Sequence, residues 1–178
     1  MDALGGNSLS TESTAKIIGL LCAAPNSVQT WSKDIEGLVQ TSLNMGVIKL
    51  GERFSATFSV RSSVNSEKVE LLEQLKKLAE MFEGSYSEMG AYPAWEYKKE
   101  SHLRDVMVET YRNLFGKEPK VEAIHAGLEC GLFSEKIPNL DCISIGPQMY
   151  DVHTSRERLS IASTERTWTF LLEVLKNL

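Results

Sequence analysis

The stretch SLNMGVIKLGERFSATFSVRSS, residues 42–63, decides the fold of the first half of the chain. Apolar side chains alternate with polar ones on both sides of KLGER, residues 49–53, which supplies a turn. Two alternating runs joined by a short turn predict an antiparallel β-hairpin with one apolar and one polar face. Asn44 and Arg61 fall on the polar face.

A helix is predicted immediately upstream of this hairpin. The string STAKIIGLLCAAP, residues 13–25, presents an apolar face. A Ser or Thr near residues 10–13 can cap its first turn, and Pro25 ends it. The hairpin is therefore expected to follow a short amphipathic helix.

A second helix is predicted downstream over NSEKVELLEQLKKLAEMFEG, residues 65–84, capped by Asn65 or Ser66 and stopped by Gly84. A further short strand is expected at residues 85–89. Helix, hairpin and helix together predict an α+β sandwich unit. The buried stripe of the second helix is predicted to consist of Val69, Leu72, Leu75, Leu78 and Phe82.

The string GAYPAWEY, residues 90–97, interrupts this pattern, because Pro93 favours extended backbone. We place a domain boundary here, which gives a first domain over residues 1–89 and a second over residues 90–178. Helix, strand, strand and helix in the second domain predict part of a layered α/β domain. The first helix is SHLRDVMVETYRNLFG (101–116), with Leu103, Val106, Met107, Tyr111 and Leu114 on one side. The two strands are KVEAIHAG (120–127) and LDCISIGP (140–147). The last helix is STERTWTFLLEVLKNL (163–178), capped by Ser163 or Thr164.

Composition excludes several classes of function. The chain has 178 residues and a net charge of −5, with acidic and basic residues interspersed, so a nucleic-acid partner is not expected. No apolar run approaches the roughly 20 residues of a membrane span, and no secretory signal is recognisable. Three scattered cysteines argue against a disulfide framework and favour a reducing cytoplasm.

Residue spacing leaves the chemistry open. The string EAIHAGLECGLF, residues 122–133, is compatible with a metal site, with a Cys130 nucleophile and His125 as its base, or with a tight turn. A small buried cysteine is the simpler interpretation of Cys130. His102 is expected at the surface, and His153 lies in a loop before the last helix, where ligand sites often gather. Neither GxGxxG nor GxxxxGK[ST] occurs.

Six strings, in order along the chain, resemble the C-terminal part of bacterial aminoacyl-histidine (Xaa-His) dipeptidases. This family falls in the clan of zinc-dependent aminoacylase and carboxypeptidase G-like metallopeptidases. The resemblance implies that residues 1–89 are part of an inserted lid and dimerisation domain, and residues 90–178 the C-terminal part of the catalytic domain. The strings are LLCAAPNSV, GLVQTSLNMGVI, VRSSVNS, GAYPAWEY, VETYRNLFGKEPKVEAIHAGLECGLF and DCISIGPQMYDVHTSRERLSI.

The resemblance also implies roles for individual residues. His153 stands where the family has a zinc ligand in the block after SIGP. Arg61 matches a lid arginine that contacts the substrate carboxylate, and Asn44 resembles a lid asparagine that holds the substrate or the tetrahedral intermediate. A solvated sheet face is the alternative for both. The glycine turn is expected to line the substrate pocket through Gly127, Leu128 and Glu129, with His125 in support.

The complete family enzyme binds two zinc ions, and its other ligands lie in an HxD motif, a bridging Asp and a Glu pair that includes the general base. Neither HxD nor EE occurs in this sequence. We therefore expect a C-terminal portion with at most a partial zinc site, no catalytic residue and no activity alone. The complete enzyme is expected to be a cytoplasmic homodimer that hydrolyses Xaa-His dipeptides. The alternatives are a non-catalytic dimerisation or interaction module, and a related metal-dependent tripeptidase or deacylase.

Overall fold

A computed structural model describes residues 8–123 and 129–178. Contacts divide these residues into two compact units, of which the first ends at Glu96 and the second begins at Tyr97. The predicted boundary between residues 89 and 90 lies a few residues earlier. Residues 90–96 stay with the first unit because they contact its last helix: the Ala94 N–H donates to Asn65 Oδ1 at 2.8 Å.

The first unit is a three-stranded antiparallel sheet with the strand order β1-β2-β3 and two helices. The predicted hairpin and both helices are confirmed, whereas β1 was not predicted. Residues 85–89 do not form the expected strand; instead Tyr86 packs against the hydrophobic core. The elements are α1 (Thr11–Ala23), β1 (Ser27–Trp31), β2 (Val39–Leu50), β3 (Phe54–Ser62) and α2 (Asn65–Met81).

The hairpin has the predicted alternation. Leu43 is buried against α2 in a cluster with Leu71 and Leu75, and the neighbouring strand adds Phe58 and Val60 to the cluster. The next side chains along each strand point away from this cluster, since successive residues of a strand face opposite sides. Burial of the apolar face fixes the register of the two strands, and this register also sets the positions of the side chains on the polar face.

Helix α2 differs from the prediction in its cap and its buried stripe. Its N-cap is Val64, which makes no side-chain cap bond. The predicted cap Asn65 instead accepts the hydrogen bond from Ala94. Leu71 and Leu75 are buried, while Val69 is 59% exposed. The helix faces the sheet through positions 67, 71 and 75, so tertiary packing selected a face rotated from the one that apolar periodicity favours.

The second unit packs two helices around one apolar cluster. Met107 of α3 meets Phe170 and Val174 of α5, with Leu103 and Tyr111 beside them, as predicted. Its described elements are α3 (His102–Phe115), α4 (Glu129–Lys136), β4 (Met149–Tyr150), β5 (Arg158–Leu159) and α5 (Ile161–Asn177). Neither α4 nor the β4–β5 hairpin was predicted, and Leu114 is 38% exposed rather than on the buried side.

Two further expectations for the second unit are wrong. Residues 140–147 form no strand. A buried strand needs neighbours for its backbone hydrogen bonds, and the only strand pair described in this unit is the short β4–β5 ladder. The last helix begins at Ile161 with Ser160 as its N-cap, so Ser163 lies in the first turn instead of capping it. None of the described helices has the length and apolarity to span a membrane.

Candidate functional site

A polar groove lies on the outer side of the first unit's sheet. Ladder pairing places Arg61 opposite Ser42, and Asn44 opposite Ser59, so both predicted substrate-binding residues lie on one face of the hairpin, two rungs apart. The groove has a volume of about 460 Å³ and is open to solvent. Its polar lining consists of Asn26, Ser27, Ser42, Asn44, Ser59 and Arg61.

The Arg61 guanidinium is available for a ligand. Arg61 is exposed, and its side chain makes no ion pair or hydrogen bond within the described parts of the chain. A planar guanidinium with five donors matches the geometry of a carboxylate. By contrast, the exposed Arg112 and Arg158 are each paired with a carboxylate of the second unit. Arg61 can therefore bind an anionic group without giving up an existing partner.

Two groove residues at the start of strand β1, Asn26 and Ser27, were missed by sequence reasoning. Asn26 Oδ1 accepts a hydrogen bond from the Met45 N–H at 3.1 Å, which ties the start of β1 to β2 beside Asn44. Ser27 follows with a φ of +73°, a left-handed conformation that non-glycine residues adopt at a cost. The string PNS after a helix is a turn signal, but it does not indicate which sheet edge the turn reaches.

His153 lies in the loop between β4 and β5. Its φ is +66°, and its backbone N–H donates to Glu157 Oε2 at 2.8 Å. The neighbouring Asp151 carboxylate is bound by Arg158 at 2.9 Å. The His153 ring is exposed. The loop is thus braced by its own polar contacts and presents the imidazole outward.

The described residues do not by themselves fit a zinc ion. Zinc sites in proteins use three or four His, Cys, Asp or Glu ligands. Within residues 8–123 and 129–178, no group of three or more such side chains is placed to hold a metal. His153 could contribute one ligand, and any others would have to come from elsewhere.

The glycine turn lies mostly outside the described residues. His125, Gly127 and Leu128 fall there, so their predicted pocket roles stay predictions. Glu129 is the exposed first residue of α4. Burial, followed by the neighbouring Cys142 thiol, raises the pKa of Cys130, which opposes its use as a nucleophile because the thiolate is the reactive form.

Comparison with known proteins supports the resemblance. The chain is 37% identical over 171 residues to the cytosol non-specific dipeptidase of Escherichia coli, covering 96% of this chain and 35% of that protein. It superposes on the aminoacylhistidine dipeptidase of Vibrio alginolyticus with a TM-score of 0.90 and 31% identity, covering 99% of this chain and 36% of that one. The chain is a homologue of part of a dipeptidase. No family model matches it.

These dipeptidase relatives confirm the predicted resemblance and the mixed α+β fold. The matched region is the C-terminal portion of the Escherichia coli protein, so the chain spans about a third of the length of these relatives. The aminopeptidase PepT of Bacillus cereus also superposes, with a TM-score of 0.70 over 93% of this chain and 45% of that chain. At 13% identity this second likeness shows a shared fold alone.

Proposed function

We propose that this chain forms the substrate-binding lid segment and the C-terminal portion of the catalytic domain of a zinc-dependent dipeptidase acting on Xaa-His dipeptides. The observation that carries the proposal is the polar groove, in which Asn44 and Arg61 share one face of a hairpin on a chain 37% identical to a dipeptidase. The names of the relatives indicate the class of reaction, and the groove contains polar side chains suited to binding a small peptide.

Arg61 would bind the carboxylate at the end of the dipeptide. The guanidinium can form two parallel hydrogen bonds to that group, which also fixes its orientation. Asn44 carries both donors and acceptors, so it can hold a peptide carbonyl or the oxygen that becomes charged during hydrolysis. The rigid hairpin register would keep the two side chains at a constant spacing.

His153 would hold one metal ion of the complete enzyme through a neutral imidazole nitrogen. The described residues bring no second and third ligand to it, and neither HxD nor EE occurs in the sequence. We therefore expect this chain alone to lack hydrolytic activity. The same proposal places the complete enzyme in the cytoplasm as a homodimer.

The first test is hydrolysis of β-alanyl-histidine by this chain, with and without added zinc. No turnover is expected in either condition, because the metal ligands and the general base are incomplete. Turnover that requires zinc and disappears in His153→Ala would contradict the proposed division of roles, since a working centre would then be built from this chain's residues.

A second test replaces the matched portion of the Escherichia coli dipeptidase with this chain. The chimera is expected to hydrolyse dipeptides and to lose this activity with His153→Ala. With Arg61→Ala its KM should rise by roughly tenfold or more, because a hydrogen bond to a charged group contributes about 1.5–3 kcal/mol to binding. Arg53→Ala, which alters an exposed arginine of the β2–β3 turn, is the matched control. Equal KM values for the two arginine variants would exclude the role of Arg61.

Rates on tripeptides and N-acyl amino acids would identify a tripeptidase or deacylase instead.

A non-catalytic interaction module is the second candidate, and one observation favours it. Strand β3 pairs only with β2 among the described strands, so its other edge is open along Phe54–Ser62. An open edge of this length can pair with another chain. A stable dimer of this chain, together with an inactive chimera that folds, would favour this candidate over the dipeptidase segment.

A further inference from the structure

Two of the three cysteines lie next to each other in the second unit. Cys130 is in the first turn of α4, and Cys142 is 12 residues further along. Cys142 Sγ lies 3.9 Å from the Cys130 carbonyl oxygen and 3.5 Å from Ser134 Oγ of the same helix. Burial, followed by the Cys142 thiol, raises the pKa of the Cys130 thiol. Both side chains are half-buried. The Cys142 thiol therefore lies beside the turn of α4 that carries Cys130.

The backbone on both sides of this pair is held in place. Asp141, adjacent to Cys142, accepts hydrogen bonds from Ser101 Oγ at 2.7 Å and from the Leu103 N–H at 3.1 Å. On the other side, Cys130 is anchored by the helical backbone of α4. Because both cysteines stand on fixed backbone, their thiols stay at a high effective concentration relative to each other.

We propose that Cys130 and Cys142 form a reversible disulfide by exchange with a small-molecule disulfide such as oxidised glutathione. The bond would link the first turn of α4 to the segment that follows this helix. Forming the sulfur–sulfur bond of roughly 2.05 Å requires the two side chains to rotate towards each other. This modification is independent of the proposed dipeptidase role.

The exchange is balanced in atoms and electrons. One protein thiol, as its thiolate, attacks a sulfur of the small disulfide, and the leaving thiolate takes up the released proton. The second protein thiol then attacks the mixed disulfide at the protein's sulfur and releases the other small thiol. Two protein thiols are oxidised, and one small disulfide is reduced to two thiols.

The test uses the full chain with Cys22→Ser, which removes an exposed cysteine of α1 that lies outside the pair. After incubation with oxidised glutathione, we expect both remaining free thiols to disappear, the intact mass to fall by two hydrogen atoms, and peptide mapping to recover a Cys130–Cys142 link. Dithiothreitol should restore both thiols. Glutathione retained on either cysteine, without the internal link, would overturn the proposal.

Two comparisons make the test independent of any further variant's folding. The same equilibrium measured in denaturing urea should favour the internal disulfide less by on the order of tenfold or more, because the folded contacts no longer hold the thiols together. An unchanged equilibrium would show that the fold does not promote the bond. Cys130→Ser and Cys142→Ser, each combined with Cys22→Ser, should each retain one glutathione on the remaining cysteine, and failure of both variants to take up glutathione would also overturn the assignment.

Discussion

At the scale of single residues, Glu67 joins three polar side chains of the first unit's sheet. Its carboxylate accepts hydrogen bonds from Thr30 Oγ1 at 2.6 Å, from Gln40 Nε2 at 2.5 Å and from Thr41 Oγ1. Burial would raise the pKa of Glu67, but these hydrogen bonds, with a smaller effect of Lys33, outweigh it and leave the pKa below its ordinary value. One carboxylate therefore ties α2 to two strands.

Glu67→Gln is expected to lower the free energy of unfolding by about 1–3 kcal/mol, because the amide nitrogen cannot accept the hydrogen bonds that the carboxylate oxygen accepts. The folded-state pKa is depressed, so this contribution is fully present above the ordinary pKa of 4.5 and is lost as pH falls through the folded value. Urea denaturation at several pH values should show that the difference in free energy of unfolding between the variant and the parent becomes smaller below pH 4.5. Glu70→Gln, on the exposed side of α2, should change stability little at any pH, and equal losses for the two variants would contradict the role of Glu67.

The sequence predicted the central residues of the polar groove but not its full lining. Strict alternation in the hairpin placed Asn44 and Arg61 on the polar face, and the ladder confirms that they occupy one face. Asn26 and Ser27 were missed because they lie at the start of β1, whose pairing with β2 depends on long-range contacts that local periodicity does not encode. Resemblance, not spacing, selected His153, and its role as a ligand stays a prediction.

At the scale of elements, a carboxylate from outside the helix completes the start of α3. Ser101 is the N-cap and accepts a hydrogen bond from the Arg104 N–H at 3.1 Å, while its hydroxyl donates to Asp141. The second Asp141 oxygen accepts the Leu103 N–H. Two of the N–H groups that a helix leaves unpaired at its start are thereby satisfied.

Asp141→Asn is expected to destabilise the second unit by about 1–3 kcal/mol, since an amide nitrogen replaces one of the two carboxylate oxygens and cannot accept the hydrogen bond that this oxygen accepted. Burial would raise the pKa of Asp141, and the hydrogen bonds from Ser101 and Leu103 more than reverse that effect. The contribution should therefore be present at neutral pH and lost in acid. Thermal unfolding followed by circular dichroism would measure it. Asp105→Asn, in the exposed first turn of α3, is the control, and a larger effect there would refute the argument.

Helix α1 packs onto α2 through a glycine. A Cβ added at Gly19 would lie 2.6 Å from Phe82 Cε1, so the ring must move if the side chain grows. Gly19→Ala would gain about 1 kcal/mol of helix propensity but meet an overpacking cost of about 1–3 kcal/mol. We expect a neutral to destabilising effect in the parent and a stabilising effect in a Phe82→Leu background. A double-mutant cycle by urea denaturation would show this change of sign, and identical effects in both backgrounds would contradict the packing.

Elements defined by local signals were predictable, and those defined by distant partners were not. The hairpin 42–63 and the helices α1 to α3 follow from alternation, caps and breakers close in sequence. The apolar run at 140–147 looks like a strand, yet no strand lies beside it in the described part of the second unit. Helix α2 likewise took its buried face from the sheet beneath it, which left Val69 exposed.

At the scale of the whole molecule, the chain exposes more surface than its mass predicts. Its accessible surface is 13339 Å², whereas a folded monomer of 19.9 kDa has about 8,700 Å² and two globules of half that mass about 10,400 Å². Because the chain covers 35–36% of its dipeptidase relatives, we expect part of this surface to be covered in a longer protein.

Helix α5 carries exposed apolar side chains that we expect a longer protein to cover. Its inner face buries Phe170 and Val174, while Trp168, Leu172 and Leu175, spaced at helical intervals, are 60%, 40% and 60% exposed. A helix with apolar residues on both faces is typical of a protein interior, and a contiguous exposed apolar stripe promotes association.

We expect the isolated chain to self-associate in sedimentation velocity experiments and to bind a hydrophobic dye. Trp168→Glu should weaken both effects severalfold, because a charge within the stripe must be desolvated on contact. Met89→Glu, which replaces an isolated residue that is 88% exposed, should leave both unchanged, and equal effects of the two substitutions would show that association does not use α5.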